Sequence, residues 1–499
     1  MTSPFGRARA LERLAGRRVL VLNWRDVRHS QAGGAEAYVH EISRRWVGAG
    51  CSVTWLTARE PGQEASDEID GIEIVRAGST LSVYAHAALR LMRTGGDHDV
   101  ILDCQNGIPF FSPVFTGGAV PVVQVVHHVH QDQFSSRFSP FGAAVGRLLE
   151  GRVATRAYAG RRAVAVSAST RQEMRRRLRV GGVIEVVPNG CPPPDGVGRT
   201  RAADPTVVVT SRLVPHKRLD LLLHAVAAAL PQVPRLRVVV VGDGPESARL
   251  RRTSSELGLE EVVSFRGRLA DAERDALMRT AWLTTSTSEG EGWGCVVLEA
   301  AAVGVPCLAL RVPGIRDSVV DGRTGWLVDD VGGLGEALPR VLADLAGPSR
   351  AADVAAACRR WASCFTWDRS AELLAGVVLS EIHAFRRADR APAGRFAPDR
   401  PRRRRATTRR RARSDMTTLA RFTHVDPAVA ARGLRLTDEV AVQGRDVVAL
   451  MRGCDEVDAL HVLERLGAGD PRVRLATRHE LLAGPRLVTL TEEPAGAAG

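Results

Sequence analysis

Ser288-Glu289-Gly290-Glu291-Gly292-Trp293-Gly294-Cys295-Val296-Val297-Leu298-Glu299-Ala300 joins three patterns. A short apolar run at 282–285 precedes it, glycines alternate at 290, 292 and 294, and an apolar helical pattern runs through 295–303. The segment therefore reads as strand, glycine-rich loop and helix. Glycines just before a helix bare backbone N–H groups where the first turn already leaves donors unpaired, which suits an anion or a cluster of hydroxyls. Glu291 and Glu299 stand with seven residues between them. A carboxylate accepts two hydroxyl hydrogen bonds, so Glu299, one to two turns into the helix, fits a diol. The alternative, two solvated carboxylates on a loop, suits Glu299 less because its neighbours are apolar.

The same alternation extends in both directions. Behind it lie strand-like runs at 206–210, 236–241 and 262–265, with helical patterns at 219–230, 246–257 and 272–280; ahead lie strands at 306–310 and 325–328. A separate series occupies the first half: strands at 18–23, 53–57, 72–75, 100–103, 122–126, 163–167 and 184–187, with helices at 37–48 and near 141–159. Alternating strands and helices imply an α/β fold with mostly parallel sheets. The expectation is two Rossmann-like domains, 1–196 and 197–385, facing a cleft, with ligands at the carboxyl ends of the strands. Residues 335–385 read as mostly helical, 386–414 as an Arg-rich disordered linker, and 415–499 as a small α/β-like extension with strands at 438–442 and 473–476 and a helix capped by Asp455.

Charge points away from nucleic acid. The net charge is +13, but residues 386–413 hold thirteen Arg and two Asp, a local +11 that leaves the rest of the chain near neutral. That segment could serve as a peripheral contact to an anionic membrane, and an Arg-rich nucleic-acid or membrane binder is the reading outside enzymes. No run of 18 or more apolar residues suggests a membrane span, and residues 1–7 lack an apolar signal core, so a cytoplasmic protein is expected. The eight scattered cysteines form no C-x-x-C pair, which fits buried free thiols. Lysine occurs once, at Lys217, and asparagine only at 23, 106 and 189.

The lone lysine falls in Ser211-Arg212-Leu213-Val214-Pro215-His216-Lys217-Arg218, after one strand and before a helix. Two cations beside a helix N-terminus make a diphosphate site, though two solvated loop cations would look the same. Gly242-Asp243-Gly244-Pro245 follows the next strand, where glycines let backbone approach a ligand.

Arg-x4-Lys, Gly-Asp-Gly-Pro and Glu-x7-Glu in this order and spacing resemble family 4 of the retaining glycosyltransferases with the GT-B fold. The resemblance covers about residues 17–385. Gly33-Gly34 is similar to the family's N-terminal glycine loop, His127 to its strand-end histidine, and Val187-Pro188-Asn189-Gly190 to its hinge signal; residues 365–368 open a helix like the one that crosses back in GT-B enzymes. Arg218 stands where the family usually has glycine. The resemblance implies transfer of a hexose from a UDP- or GDP-sugar to a saccharide or lipid-linked acceptor, with retention and without a metal, in cell-envelope glycan or glycolipid synthesis. It implies catalytic roles for His127, Arg212, Lys217 and Glu291. Donor contacts fall to Gly33, Gly34, Asn189, Gly242, Gly244, Arg266, Gly292, Trp293, Gly294 and Glu299, with Phe265-Arg266-Gly267-Arg268-Leu269 a candidate base pocket by position. His127, His128 and His130 could suggest a metal, but no carboxylate partner accompanies them. A sugar-nucleotide epimerase of the same fold is the alternative enzyme.

Overall fold

The computed structural model describes residues 10–192, 198–389 and 417–475, the last without 427–428, 431–433, 435–438, 444–445 and 453–455. The chain divides into two compact units, Met1–Gly394 and Arg395–Gly499.

The first unit contains two sheets, each started by a valine-rich strand that is buried on both faces. The first sheet comprises β1 (Arg18–Leu22), β2 (Ser52–Thr57), β3 (Ser66–Ile69), β4 (Ile72–Arg76), β5 (Val100–Asn106), β6 (Val122–His128), β7 (Arg162–Ala165) and β8 (Ile184–Val186). Its order is β3-β4-β2-β1-β5-β6-β7-β8, parallel throughout except for β3 on β4. The second comprises β9 (Thr206–Thr210), β10 (Arg237–Val241), β11 (Val263–Gly267), β12 (Thr284–Ser286), β13 (Cys307–Leu310) and β14 (Gly325–Val328), in two parallel runs, β11-β10-β9 and β12-β13-β14. Val207 bridges Leu283, and Val208 N donates to Leu283 O at 3.0 Å, which joins the runs. In both sheets the chain starts in the middle, builds outward on one side, then crosses back and builds on the other. The crevice at that switch, beyond β1 in one sheet and β9 in the other, is where such folds bind ligands.

Helix Trp367–Asp389 continues four residues past the position where the sequence suggested a linker. It packs on the first half: Trp46 Nε1 donates to Ala371 O at 3.0 Å, Ser370 Oγ donates to Pro188 O at 2.7 Å, and Cys191 bridges Thr366. The residues read as an Arg-rich linker lie otherwise outside the described ones.

The second unit is an antiparallel sheet of β15 (Thr417–Thr423), β16 (Glu439–Gln443), β17 (Asp446–Arg452) and β18 (Gly469–Leu475), ordered β16-β17-β15-β18, with helix Glu456–Arg465. Asp455, the expected cap, lies outside the described residues. Among the described residues no helix is long and apolar enough to cross a membrane.

Candidate active site

The loops beyond β1, β6, β9 and β12 enclose one cavity of about 740 Å³. From the first half, Gly33, Gly34, His127 and Asn189 reach its wall; from the second, Arg212, Lys217, Gly242, Glu291, Gly292, Trp293 and Gly294. Thus eleven of the fourteen residues singled out in the sequence meet in one place. Gly244, Arg266 and Glu299 are not on that wall.

The first-half wall is built from internally satisfied charge. Arg25 Nε lies 3.0 Å from Glu36 Oε1, both buried, and Glu36 Oε2 accepts from Gly33 N at 2.8 Å. Burial pushes the Glu36 carboxyl up, and Arg25 and the Gly33 amide only partly offset this. The pair fixes the Gly33-Gly34 turn at the start of helix Gly34–Gly48. At the end of β6, His127 packs edge-on against Tyr38 at 5.2 Å between ring centres. Burial lowers its pKa to about 4, so the ring is neutral at physiological pH. Its Nε2 is buried without a hydrogen-bond partner among the described residues. A buried orphan of this kind costs about 1–3 kcal/mol unless something fills its place. Gly292 is needed here for contact: a Cβ would sit 2.0 Å from His127 O, so only glycine lets the two halves meet.

The second-half wall carries charge toward the cavity. Pro215–Lys217 forms a single 3₁₀ turn, and Arg218 closes it at φ 47°, ψ 45°. That left-handed conformation costs a non-glycine residue roughly 1–2 kcal/mol, which explains the glycine customary at this position. Lys217 Nζ pairs with Glu291 Oε1, and Ser288 Oγ donates to the same oxygen at 2.7 Å. Burial alone would raise the Glu291 carboxyl; Lys217, Ser288 and the nearby His128 outweigh it and hold the group below the ordinary glutamate value. Arg212, on the same loop, has no side-chain hydrogen-bond or ion-pair partner among the described residues and borders the cavity.

Three residues take different positions from those expected. Gly244 serves packing: a Cβ there would lie 2.3 Å from Leu213 O, and one at Gly242 would lie 1.9 Å from Ser211 O, so these glycines seat one strand-end loop on the other. Arg266 is exposed, and Arg268 reaches the wall instead, donating to Ser30 O across the cleft at 3.2 Å. Glu299 sits behind Cys295 in helix Cys295–Ala302; burial raises its pKa, Arg274 lowers it, and Asp275 and Asp271 raise it. Arg274 itself is on the wall. Sequence reading misses Arg274, which carries no signal, and gives His128 only as a possible metal ligand; Arg268 lies in the segment expected at the base. Among the described residues no group of three or more His, Cys, Asp or Glu is placed to hold a metal ion.

Further bonds fix the halves together on the far side of the site. Ser169 N donates to Asp317 Oδ2 at 2.8 Å, Arg316 Nε donates to Ser169 Oγ at 2.8 Å, and Asn189 Nδ2 donates to Cys295 Sγ at 3.3 Å.

Two Rossmann-like domains closed on a cavity that joins a cationic loop to a neutral histidine define an enzyme of the GT-B glycosyltransferase class. Residues 32–193 match the model of Glycosyltransferase Family 4, and residues 197–353 that of Glycosyl transferases group 1. The GDP-mannose-dependent alpha-(1-6)-phosphatidylinositol monomannoside mannosyltransferase of Mycolicibacterium smegmatis is 32% identical over 379 residues, which is 68% of this chain and 93% of the relative. The chain belongs to this glycosyltransferase family. A D-inositol 3-phosphate glycosyltransferase of Streptomyces avermitilis is 37% identical over 193 residues, 37% of this chain and 41% of the relative. Among solved structures, sucrose-phosphate synthase of Thermosynechococcus elongatus shares the fold at TM-score 0.59 and 18% identity, covering 75% of this chain and all but 1% of that one, since it covers 99%. HepE of Anabaena does so at TM-score 0.57 and 21% identity, covering 73% and 100%.

Proposed function

We propose that this cleft transfers a hexose, with retention at the anomeric carbon, from a nucleotide-diphosphate donor held by the second half to a saccharide or lipid-linked acceptor entering along the first. The observation that carries the reading is the placement of Arg212 and Lys217 at the end of β9, across one cavity from His127 and its unpartnered Nε2. In the cleft Lys217 and Glu291 satisfy each other. A bound donor would exchange both partners: its diphosphate takes the ammonium, and a sugar hydroxyl takes the carboxylate. Negative charge then develops on the departing diphosphate beside two fixed cations, where it is most strongly stabilised. His127, neutral, would donate or accept a hydrogen bond at the sugar without adding charge. Glu299 would hold the ribose. Domains 1–196 and 197–385 would divide acceptor from donor, and the work would lie in envelope glycan or glycolipid synthesis at the inner face of a membrane.

The GDP-mannose dependence of the Mycolicibacterium smegmatis relative supports guanosine diphosphate mannose as the first donor to test. Thermal-shift and hydrolysis assays across GDP-mannose, UDP-glucose and UDP-N-acetylglucosamine should single out one donor, with Lys217→Ala as the silent control. Release of an epimerised free sugar, with no glycoside formed in the presence of acceptor, would instead select the epimerase reading.

A further inference from the structure

Every strongly exposed large apolar side chain among the described residues of the first unit falls between residues 81 and 153. The second Rossmann-like half contributes none. The segment Pro140–Ala157 is the centre of this patch: an α-helix Pro140–Leu148, a π turn Leu149–Val153 and a last α-helical turn Ala154–Ala157. Its amphipathicity is inverted. The buried positions are Ala143, Gly146, Glu150 and Ala154, while Phe141, Val145 and Leu148 face out, Phe141 at 80% exposure. Gly146 allows this seating, since a Cβ there would lie 2.6 Å from the Phe134 ring. A helix that buries its small residues and displays its large ones has left its hydrophobic stripe unpartnered.

A neighbouring helix adds exposed apolar side chains to the patch. Val83–Thr94 buries Val83, Ala87 and Leu91 in the same core cluster as Ala154 and Tyr158, and exposes Leu89 and Met92. Both helices therefore cover one face of the first sheet. The outward charge on Pro140–Ala157 is all positive: Arg152 and Arg156 are exposed, whereas the segment's one acid, Glu150, turns inward to accept from His130 N and Gln131 Nε2, each at 2.6 Å. The patch also reaches the active-site opening, for Leu81 (75% exposed) and Phe138 (50% exposed) border the cavity as well.

We infer that this face docks on an anionic lipid bilayer, with Phe141, Val145 and Leu148 entering the headgroup boundary and Arg152 and Arg156 pairing with lipid phosphates. Apolar side chains flanked by arginine on an in-plane helix are the combination that binds such an interface. A second copy of the same face would set like charges against each other across a twofold axis. The inference rests on the lipid-linked-acceptor reading only for its purpose, because it gives such an acceptor a direct approach to the cavity mouth at Leu81 and Phe138; the binding itself is independent of transfer.

The test is sedimentation of the full chain with vesicles of phosphatidylcholine alone or with phosphatidylglycerol added, read beside donor thermal shift. Binding to the anionic vesicles is expected, weakening as salt is raised. Phe141→Asp/Leu148→Asp should lower vesicle affinity by about tenfold or more while melting temperature and donor shift stay unchanged. Arg152→Glu/Arg156→Glu should remove the preference for the anionic vesicles. Unaltered vesicle binding in Phe141→Asp/Leu148→Asp overturns the inference and moves the contact elsewhere, as does a wild-type chain that ignores both vesicle types. A dimer in light scattering that the same aspartates dissolve, without any lipid binding, also overturns it and assigns the face to a second copy. Because donor shift is read separately, failure here leaves the transferase reading standing, and loss of donor binding in the wild type leaves this one standing.

Discussion

The two Rossmann-like halves share a strand order and differ in where they keep charge. In the first, charge at the cavity is locked away: Arg25 pairs with Glu36, His29 lies 3.6 Å from Glu60, and His127 is neutral. In the second, Arg212 and Lys217 stand at the wall, and Lys217 is held only by Glu291, a partner that a ligand can replace. The surfaces reverse the contrast, for exposed large apolar side chains crowd the first half and are absent from the described residues of the second. One scaffold thus yields a half that presents cations to the cavity and a half that presents large apolar side chains to solvent. The scaffold fixes the position of strand-end loops and little else, so loop composition divides the labour.

The largest test of this contrast is Lys217→Ala. Loss of a cation aimed at developing charge should lower transfer by about 10²–10³-fold, or about 3–4 kcal/mol, with melting temperature retained. Activity within a few-fold of wild type would end the claim that the second half holds the donor by charge. Arg212→Ala should match it in direction, and the double variant should fall short of the sum because both act on one diphosphate.

Next in size is a stability effect confined to the first half. Glu150 is buried and its pKa is pushed up to about 7, mainly by desolvation, against hydrogen bonds from His130 and Gln131 that lower it. A group raised in the folded state contributes stability in full below its unfolded pKa of 4.5 and loses it as pH rises through the folded value. Over that interval, at about 1.4 kcal/mol per pH unit, the change is about 3 kcal/mol. Urea unfolding at pH 5 and pH 7.5 should show wild type losing up to that amount relative to Glu150→Gln. Parallel pH dependence in the two proteins would mean that the first half does not hold this carboxyl protonated.

Glu299→Ala is expected to weaken donor binding about tenfold, or about 1.4 kcal/mol, with kcat little changed. The loss should be equal for the sugar nucleotide and for the bare nucleoside diphosphate, because both carry the ribose. A loss seen only with the sugar attached would take Glu299 off the ribose and give it to the transferred group.

The sheets were legible because burial on both faces leaves no alternation to misread: β1 is Arg-Val-Leu-Val-Leu and β9 is Thr-Val-Val-Val-Thr, buried except for Arg18, which is exposed, and Thr210, which is half-buried. The cavity wall was legible where glycine or a lone lysine marked a loop. What escaped was set by tertiary contact. The strand β3, Ser-Asp-Glu-Ile, is a polar antiparallel edge with no periodic signal of its own. The tail strands β15 and β17 find their place through pairing with each other, which no local pattern announces. Helix 140–148 has an apolar pattern that reads as core, and only the packing of Gly146 against Phe134 shows that the stripe faces outward. Gly242 and Gly244 read alike as a ligand approach; each makes room for a carbonyl oxygen of the neighbouring loop, and of the two Gly242 also lines the cavity.

The smallest effect separates two arginines two residues apart. Alternation along a strand would send Arg266 and Arg268 to the same side. Gly267 breaks the rule: its φ is 66°, its carbonyl accepts from Gly242 N at 2.7 Å, and the pairing of β10 with β11 shifts register between Val240 and Val241. The chain therefore turns at the end of β11, leaving Arg266 outside and carrying Arg268 to Ser30 across the cleft. Arg268→Ala removes one bond between the halves, a net of about 0.5–1.5 kcal/mol, and should raise donor KM by about threefold. Arg266→Ala should change it by less than about twofold, as exposed substitutions usually do. The reverse ranking would restore the strand-like reading of this segment and make the base pocket a property of the second half alone; the expected ranking makes donor affinity depend in part on a carbonyl supplied by the first.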